Sequence, residues 1–309
     1  MAVAGFVLTA AAPGLAALSL AIALASASAG FAWTPFNSMT EQAVPKQYQK
    51  RVLSIVSTGT TFGIILAGLL AMVIASAGFS WRVAWWAFAA LAPIAVILPA
   101  LLLSEQDGFE HGSRLNIREV LARLRRREAV PLYGLAFSFG ATNGTYLSYW
   151  IDHIGQSGGL AGIPSELIGP ALFVAFGAAG CLGLFTGEIT DRLGLRPVLL
   201  FLFAASAASL FLLAVVPTSW AGATISAALQ GICVMCLGAI YSFWSERIFP
   251  DIPSASFTAV LMLYATGSVF APPLAGQLSA ALELGPTLAL FSGLSVCSLL
   301  LVRGVKEVS

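Results

Sequence analysis

The sequence predicts an all-α integral membrane protein whose helices form a bundle across the bilayer. Three observations support this fold class. Of the 309 residues, 58% are hydrophobic and only 9% are charged, and the mean hydropathy is +0.90, whereas soluble proteins carry about 25% charged residues. The hydrophobic residues form long runs, and the basic residues lie almost entirely between alternate runs. So few charges cannot cover a water-exposed surface, and lipid is therefore expected to surround the chain.

Nine apolar runs are long enough to be spanning helices, since crossing a bilayer takes about 20 apolar residues. They cover residues 13–43, 52–77, 81–103, 130–154, 168–188, 197–217, 219–245, 254–282 and 286–303. Residues 1–12 are also apolar but too short to cross alone, and Pro13 and Gly14 follow as a break. A signal peptide is the alternative for this start, although no basic residue opens it.

The Lys and Arg residues predict the orientation of the bundle. If all nine runs cross, alternate connections lie on one side, and all but one of the 15 Lys and Arg residues fall in the same set of connections. Arg82 is the exception. Because basic residues concentrate on the cytoplasmic side, we expect a multi-pass protein of the cell membrane with a cytoplasmic C-terminus. The alanine-rich composition fits a bacterial inner membrane.

Several classes of function are disfavoured. The net charge of +1 does not predict a nucleic-acid partner, and no Walker P-loop is present, so ATP is not expected as a ligand. Cys233 and Cys236 form a CxxC, but inside an apolar run, where packing is a simpler reading than redox or metal chemistry. His111 and His153 are isolated. An enzyme, a metal or another cofactor is therefore not expected.

The longest polar stretch, residues 104–128, separates the first three runs from the last six. Within it, Ile117, Val120, Leu121 and Leu124 recur at helical spacing, and arginines occupy the positions between them. This pattern predicts a short helix lying on the anionic inner leaflet of the membrane. A plain solvated linker is the alternative.

Two regions of the chain resemble each other. Gly59, Gly63 and Gly68 share their spacing with Gly267, Ala271 and Gly276, and "LAGLL" at 66–70 matches "LAGQL" at 274–278. Both copies follow a long apolar run and a proline on the same predicted side. This indicates a parallel repeat about an axis along the membrane normal, unless small residues align here by chance.

A charged segment between two apolar runs carries the clearest motif. Gly187, Asp191, Arg192, Gly194 and Arg196 resemble the GxxxDRxGxR loop of the major facilitator superfamily, which joins the eighth and ninth of twelve helices on the cytoplasmic side. The stretch "GFAWTP…VPKQYQKR…GTTFGIILAG…WR" is similar to that family's fourth and fifth helices.

The resemblance implies a major-facilitator-type bundle of two pseudo-symmetric halves, the first incomplete. Nine full transmembrane helices would correspond to family helices four to twelve, and Met1–Ala12 to a stub of helix three, as in an N-terminally truncated chain. The implied division is residues 1–103 as the incomplete half, 104–129 as a cytoplasmic linker with the interfacial basic helix, and 130–309 as a six-helix half.

The family resemblance implies that the charged motif acts as a cytoplasmic gate. Asp191 would meet the helix that starts near Ser254, where the helix dipole favours a carboxylate. Arg192 and Arg196 would pair with Glu246. Such contacts would exist only while the cytoplasmic side is closed and would bias a two-state equilibrium. Anchoring of topology by positive charge is the alternative.

The resemblance also implies a central cavity lined by family helices one, four, seven and ten. Polar residues at helical spacing in the last three of these are candidates for a substrate pathway: Thr34, Asn37, Glu41, Thr142, Asn143, Tyr146, Tyr149, Gln230 and Tyr241. Hydrogen bonds between helices are the alternative role. The pairs Gly59/Gly63, Gly140/Gly144 and Gly183/Gly187 have the GxxxG spacing of closely packed helices.

These observations predict a secondary active transporter that moves a small organic solute by alternating access. No Lys or Arg lies in the middle of an apolar run, which favours a neutral or amphipathic solute over an anion. Glu41 is the candidate for a coupling proton. The alternative is a truncated, non-transporting membrane remnant or an interaction partner of another membrane protein.

Overall fold

The computed structural model describes residues 1–28, 44–102 and 117–305, and these residues are almost entirely helical. The α-helices in chain order are α1 (Ala2–Ala11), α2 (Leu15–Ser28), α3 (Lys46–Ser76), α4 (Trp81–Leu102), α5 (Ile117–Leu124), α6 (Val130–Gln156), α7 (Ser165–Gly180), α8 (Thr186–Leu193), α9 (Leu195–Val215), α10 (Trp220–Ile248), α11 (Pro253–Leu282) and α12 (Leu284–Arg303).

Six segments within the described residues are long and apolar enough to cross a membrane. They are Gly59–Ser76 of α3, Ser165–Leu193 through α7 and α8, and the helices α9, α10, α11 and α12. The predicted runs 81–103 and 130–154 coincide with α4 and α6, which are not counted among these six segments. The run 13–43 falls partly outside the described residues. The count of nine spans therefore stays a prediction.

The run predicted to end at residue 188 extends further than expected. A 3₁₀ turn, Cys181–Phe185, follows α7, and α8 then continues the segment to Leu193. The charged motif is therefore mostly helical rather than a loop. Its break is confined to Gly194, whose φ of 86° and ψ of 157° lie in a region that only glycine readily adopts.

Helices α6 and α11 pack at backbone contact through glycines on both sides. A Cβ atom at Gly140 would overlap the Tyr264 carbonyl, and one at Gly144 would lie 2.7 Å from Cα of Ser268. From the other helix, a Cβ at Gly267 would overlap the Phe137 carbonyl. The small-residue spacing at 140 and 144 therefore marks a close helix pair, as the sequence predicts.

Helices α3 and α7 meet along a second small-residue contact. A Cβ at Gly68 would lie 2.9 Å from Cγ2 of Val174, and one at Gly177 would lie 2.6 Å from Cγ1 of Ile65. We call this contact the α3–α7 seam. By contrast, Gly59 and Gly63 have no neighbour within 4 Å of an added Cβ among the described residues, so the close packing predicted for that pair is not observed there.

Arg82 fixes the C-terminus of α1 against the start of α4. Its Nε donates to the Ala10 carbonyl at 3.1 Å and its Nη2 to the Ala12 carbonyl at 2.6 Å. The guanidinium also lies 4.7 Å from the ring centre of Trp81. Helix C-termini expose carbonyl groups that favour a cation. We call this end of the bundle the Arg82 end.

The opposite end holds the predicted basic helix, α5, and the turn between α10 and α11. Arg126 Nη1 donates to the Ile248 carbonyl at 2.9 Å, and Nη2 lies 3.9 Å from the Asp251 carboxylate. The same guanidinium lies 5.2 Å from the ring centre of Phe249. The Tyr133 ring stacks on the Phe249 ring, with 6.5 Å between the two ring centres. We call this the Arg126 end; its contacts hold the linker against the start of α11.

Candidate functional site

A chain of buried amide and hydroxyl groups crosses the bundle from α10 to α11. Gln230 Nε2 donates to Asn143 Oδ1 at 2.9 Å, and Asn143 Nδ2 donates to the Tyr264 hydroxyl at 2.6 Å. Gln230 and Asn143 are essentially inaccessible to solvent. Buried polar groups that are paired in this way stabilise one arrangement of the helices. One atom of the chain, Gln230 Oε1, has no hydrogen-bond partner among the described residues.

The Tyr264 end of this chain borders a cavity of about 200 Å³ between α3, α6, α10 and α11. The lining residues are Thr60, Phe139, Val234, Met235, Gly238, Tyr241, Leu261 and Tyr264. For comparison, a cavity of about 150 Å³ can hold a benzene molecule. The cavity is therefore large enough for a small organic group, and its wall is apolar apart from three hydroxyl groups.

The aromatic side chains that line the cavity are held in place by a hydrogen bond and by contacts with other rings. The Tyr241 hydroxyl donates to the Leu135 carbonyl at 3.2 Å. The Phe139 ring packs on the Tyr264 ring, with 6.0 Å between the ring centres, and edge-on to the Phe203 ring, with 6.3 Å between the centres. A wall held in this way presents a fixed shape, which is the usual property of sites for small molecules.

The charged motif lies at the Arg126 end, in α8, the turn at Gly194 and the start of α9. Helix α8 packs against α3, α9 and α10. Gly187 is buried at its start, while Asp191 and Arg192 are exposed in its last turn. Arg196 is partly buried in the first turn of α9, and Glu246 is partly buried in the last turn of α10. Gly194 forms a tight turn between α8 and α9.

Comparison with known proteins decides the family. A family model described as "Major Facilitator Superfamily" matches residues 1–184, more than half of the chain. The chain belongs to the Major Facilitator Superfamily. It is accordingly a multi-pass membrane protein of a transporter family, as the sequence predicts.

A solved structure agrees with this assignment at the level of the fold. The chain is similar to a variant of the fucose:proton symporter FucP from E. coli, with a TM-score of 0.70 and 13% sequence identity. The match covers 99% of this chain and 82% of FucP. At this identity the similarity establishes a shared major facilitator fold and leaves the substrate open.

Within this facilitator fold, the predicted pathway residues separate into two groups. Asn143 and Gln230 belong to the polar chain, and Tyr241 lines the cavity. Thr142 instead donates to carbonyls of its own helix, 3.2 Å from Ser138 O and 3.1 Å from Phe139 O.

The two tyrosines of α6 that were predicted to line the pathway are engaged away from the cavity. The Tyr146 hydroxyl lies 3.1 Å from Ser226 Oγ on α10, and its side chain is fully buried. The Tyr149 hydroxyl donates to the Pro272 carbonyl at 2.9 Å. These contacts match the alternative role, hydrogen bonding between helices. Thr34, Asn37 and Glu41 lie outside the described residues.

Sequence reasoning overlooked seven of the eight lining residues: Thr60, Phe139, Val234, Met235, Gly238, Leu261 and Tyr264. Tyr264 is a polar aromatic residue inside the apolar stretch of α11, so a search of every helix for such residues would have found it. Met235 and Leu261 carry no comparable signal, because an apolar side chain in a spanning helix can face either lipid or protein.

Proposed function

We propose that this facilitator is a secondary transporter that carries a small neutral or amphipathic organic solute by alternating access. The cavity between α3 and the helices α6, α10 and α11 is the proposed substrate site. One observation carries this proposal: a buried polar chain ends, at Tyr264, in the wall of a mainly apolar cavity. An apolar pocket with a few fixed polar groups is the usual form of a site for a small molecule.

The lining favours a solute without a net negative charge. Among the described lining residues, the polar groups are the hydroxyls of Thr60, Tyr241 and Tyr264, and none is a cation that would pair with an anion. The rings of Phe139 and Tyr264 offer apolar faces beside those hydroxyls. A compact solute with one or two hydrogen-bonding groups on an apolar body matches this wall.

Proton coupling belongs to the same proposal. FucP is named as a fucose:proton symporter, and a proton-coupled carrier needs a group that titrates in the working pH range. The described lining residues contain no carboxylate or imidazole. Glu41, outside the described residues, is the proposed proton-binding residue.

The charged motif is the proposed gate at the Arg126 end, and residues 1–103, 104–129 and 130–309 are the proposed units. Helix α8 packs against both α3 and α10. A movement of the last turn of α8 would therefore also move helices on either side of the cavity. We assign Asp191, Arg192 and Arg196, with Glu246, to the closed state of this gate.

The test is transport by the purified chain in proteoliposomes, with a panel of radiolabelled neutral, cationic and anionic solutes and an imposed pH gradient. Leu261→Trp should fill the cavity and abolish uptake. Val269→Trp is the matched control, since Val269 lies on the same helix with 64% of its surface exposed. Equal activity of the two variants would refute the cavity assignment. Absence of transport across the whole panel would favour the remnant or partner role.

A further inference from the structure

Met235 on α10 belongs both to the wall of the central cavity and to the contact between α10 and the 3₁₀ turn before α8. Its side chain lines the cavity, and only 4% of the residue surface is exposed. A Cβ atom added at Gly183 would lie 2.7 Å from Cβ of Met235, and one added at Gly180 would lie 3.0 Å from its Cγ. One side chain therefore touches the cavity and both glycines.

The turn that Met235 contacts is the irregular part of a long helical segment. It covers Cys181–Phe185, between the end of α7 and the start of α8, and Gly183 is buried in it. A 3₁₀ turn has poorer hydrogen-bond geometry than an α-helix, and such a stretch inside a long helix often marks a hinge. Met235 therefore packs against the part of the segment that bends most easily.

Helix α8 follows this turn directly and carries part of the proposed gate. Its first residue, Thr186, donates a hydrogen bond of 2.7 Å to the Gly183 carbonyl, and the Cys236 thiol on α10 lies within hydrogen-bonding reach of Thr186. Asp191 and Arg192 lie in the last turn of the same helix. At 1.5 Å per residue, that turn is roughly 10 Å from Thr186. A small rotation at the turn is therefore enlarged at the gate.

The contact leaves no free space between Met235 and the turn. Even a methyl group at Gly183 would overlap the Met235 side chain. Closely packed interiors transmit displacement because there are no voids to absorb it. Pressure on Met235 from the cavity is therefore passed to the turn at Gly183.

We propose that Met235 is a positioning residue that couples occupancy of the central cavity to the position of α8. A solute body in the cavity presses on Met235, Met235 presses on Gly183, and α8 moves away from α10 together with Asp191 and Arg192. This coupling rests on the proposed transport function, but it predicts a change of distance that can be measured without transport.

Double electron–electron resonance on the full chain in detergent tests the coupling. Spin labels are placed at Leu101→Cys, at the end of α4, and Leu193→Cys, at the end of α8, where the native side chains are 77% and 62% exposed. Cys181 and Cys297 are replaced by alanine, and the buried Cys233 and Cys236 are kept. The change Leu261→Trp fills the cavity in place of a solute.

Leu261→Trp should shift the distances between the two labels to longer values. Met235→Ala should remove this shift, because the side chain that reaches Gly183 is lost, and Met235→Leu should keep it, because the bulk remains. No shift with Leu261→Trp, or the same shift in the Met235→Ala background, would overturn the proposal.

Val234→Ala is the matched control, since Val234 also lines the cavity but is not among the atoms nearest to a Cβ at Gly180 or Gly183. The shift should persist in this variant, and its loss there would mean that any loosening of the wall removes it, against a specific role of Met235.

Pressure applied from the turn gives a second test. Gly183→Ala should lengthen the distance between the labels without Leu261→Trp, because the new methyl group overlaps Met235. Gly238→Ala is its control, since an added Cβ there meets nothing within 4 Å among the described residues. Equal distances in these two variants would contradict the coupling. Uptake by the unchanged chain tests the transport function separately: uptake without these shifts refutes the coupling alone, and the shifts without uptake refute transport alone.

Discussion

Asn143 on α6 donates a hydrogen bond of 2.6 Å to the hydroxyl of Tyr264 on α11, and through its Oδ1 atom it accepts one from Gln230 on α10. One amide therefore joins three helices around the central cavity. A buried donor left without a partner costs more than the lost bond itself is worth. The first prediction follows from this relationship.

Tyr264→Phe is expected to lower the free energy of unfolding by about 1–3 kcal/mol, because Asn143 Nδ2 would remain buried without an acceptor. Tyr241→Phe should cost less. Its hydroxyl bonds a backbone carbonyl, Leu135 O, inside α6, where helical hydrogen bonding continues without it. Thermal or denaturant unfolding in detergent measures both variants. Equal losses would mean that the amide chain contributes nothing beyond a single hydrogen bond.

Gly267→Ala should separate α6 from α11 and destabilise the bundle, since the new methyl group would overlap the Phe137 carbonyl. Overpacking of this kind typically costs about 1–3 kcal/mol. Gly293→Ala on α12 is the control, because an added Cβ there meets nothing within 4 Å, and alanine favours the helix by roughly 0.5–1 kcal/mol. Unfolding midpoints in detergent should move in opposite directions. A neutral Gly267→Ala would contradict the close approach of these helices.

Glu283→Gly is expected to stabilise the chain. Glu283 has φ 69° and ψ 168° between α11 and α12, and it is the one residue other than glycine with positive φ among those the structure describes. Such a conformation costs a residue with a side chain about 1–3 kcal/mol. Glu283→Gln keeps that cost, so its unfolding midpoint should stay near that of the unchanged chain. A lower midpoint for Glu283→Gly would argue against strain at this turn.

Asp191→Asn tests the proposed gate. Loss of the charge should weaken the closed state at the Arg126 end and raise the accessibility of the cavity from that side. A single cysteine at Thr60, in a background without the four native cysteines, reports this through its labelling rate from each side of the membrane. Glu188→Gln on the same helix is the control. Unchanged labelling of the Asp191→Asn variant from both sides would remove Asp191 from the gate.

Much of the fold could be predicted because lipid imposes a simple rule on the sequence. Spanning segments must be helical and apolar over about 20 residues, so α9, α10 and α12 stand out at once. The predicted end of the run 168–188 was wrong. The charges at 188–192 indicate the edge of the membrane, but the helix continues through them to Leu193. The end of the apolar run and the end of the helix are different boundaries.

The candidate site could be predicted only in its polar part. Asn143, Gln230 and Tyr241 stand out because a polar side chain in lipid is costly. Met235 and Phe139 do not, because apolar side chains occur on every face of their helices and periodicity cannot distinguish a cavity wall from a lipid-facing surface. Which helices enclose the cavity depends on which residues far apart in the chain come together around it, such as Thr60 and Tyr264.

The α3–α7 seam has a mechanical consequence. Gly68 and Gly177 each receive a side chain of the opposite helix, Val174 and Ile65 respectively, so the two helices can turn about their line of contact more easily than they can separate. If the units on either side of the central cavity rock during transport, this pair is suited to be the pivot of that motion. Bulk added on the seam would then slow turnover even where substrate still binds.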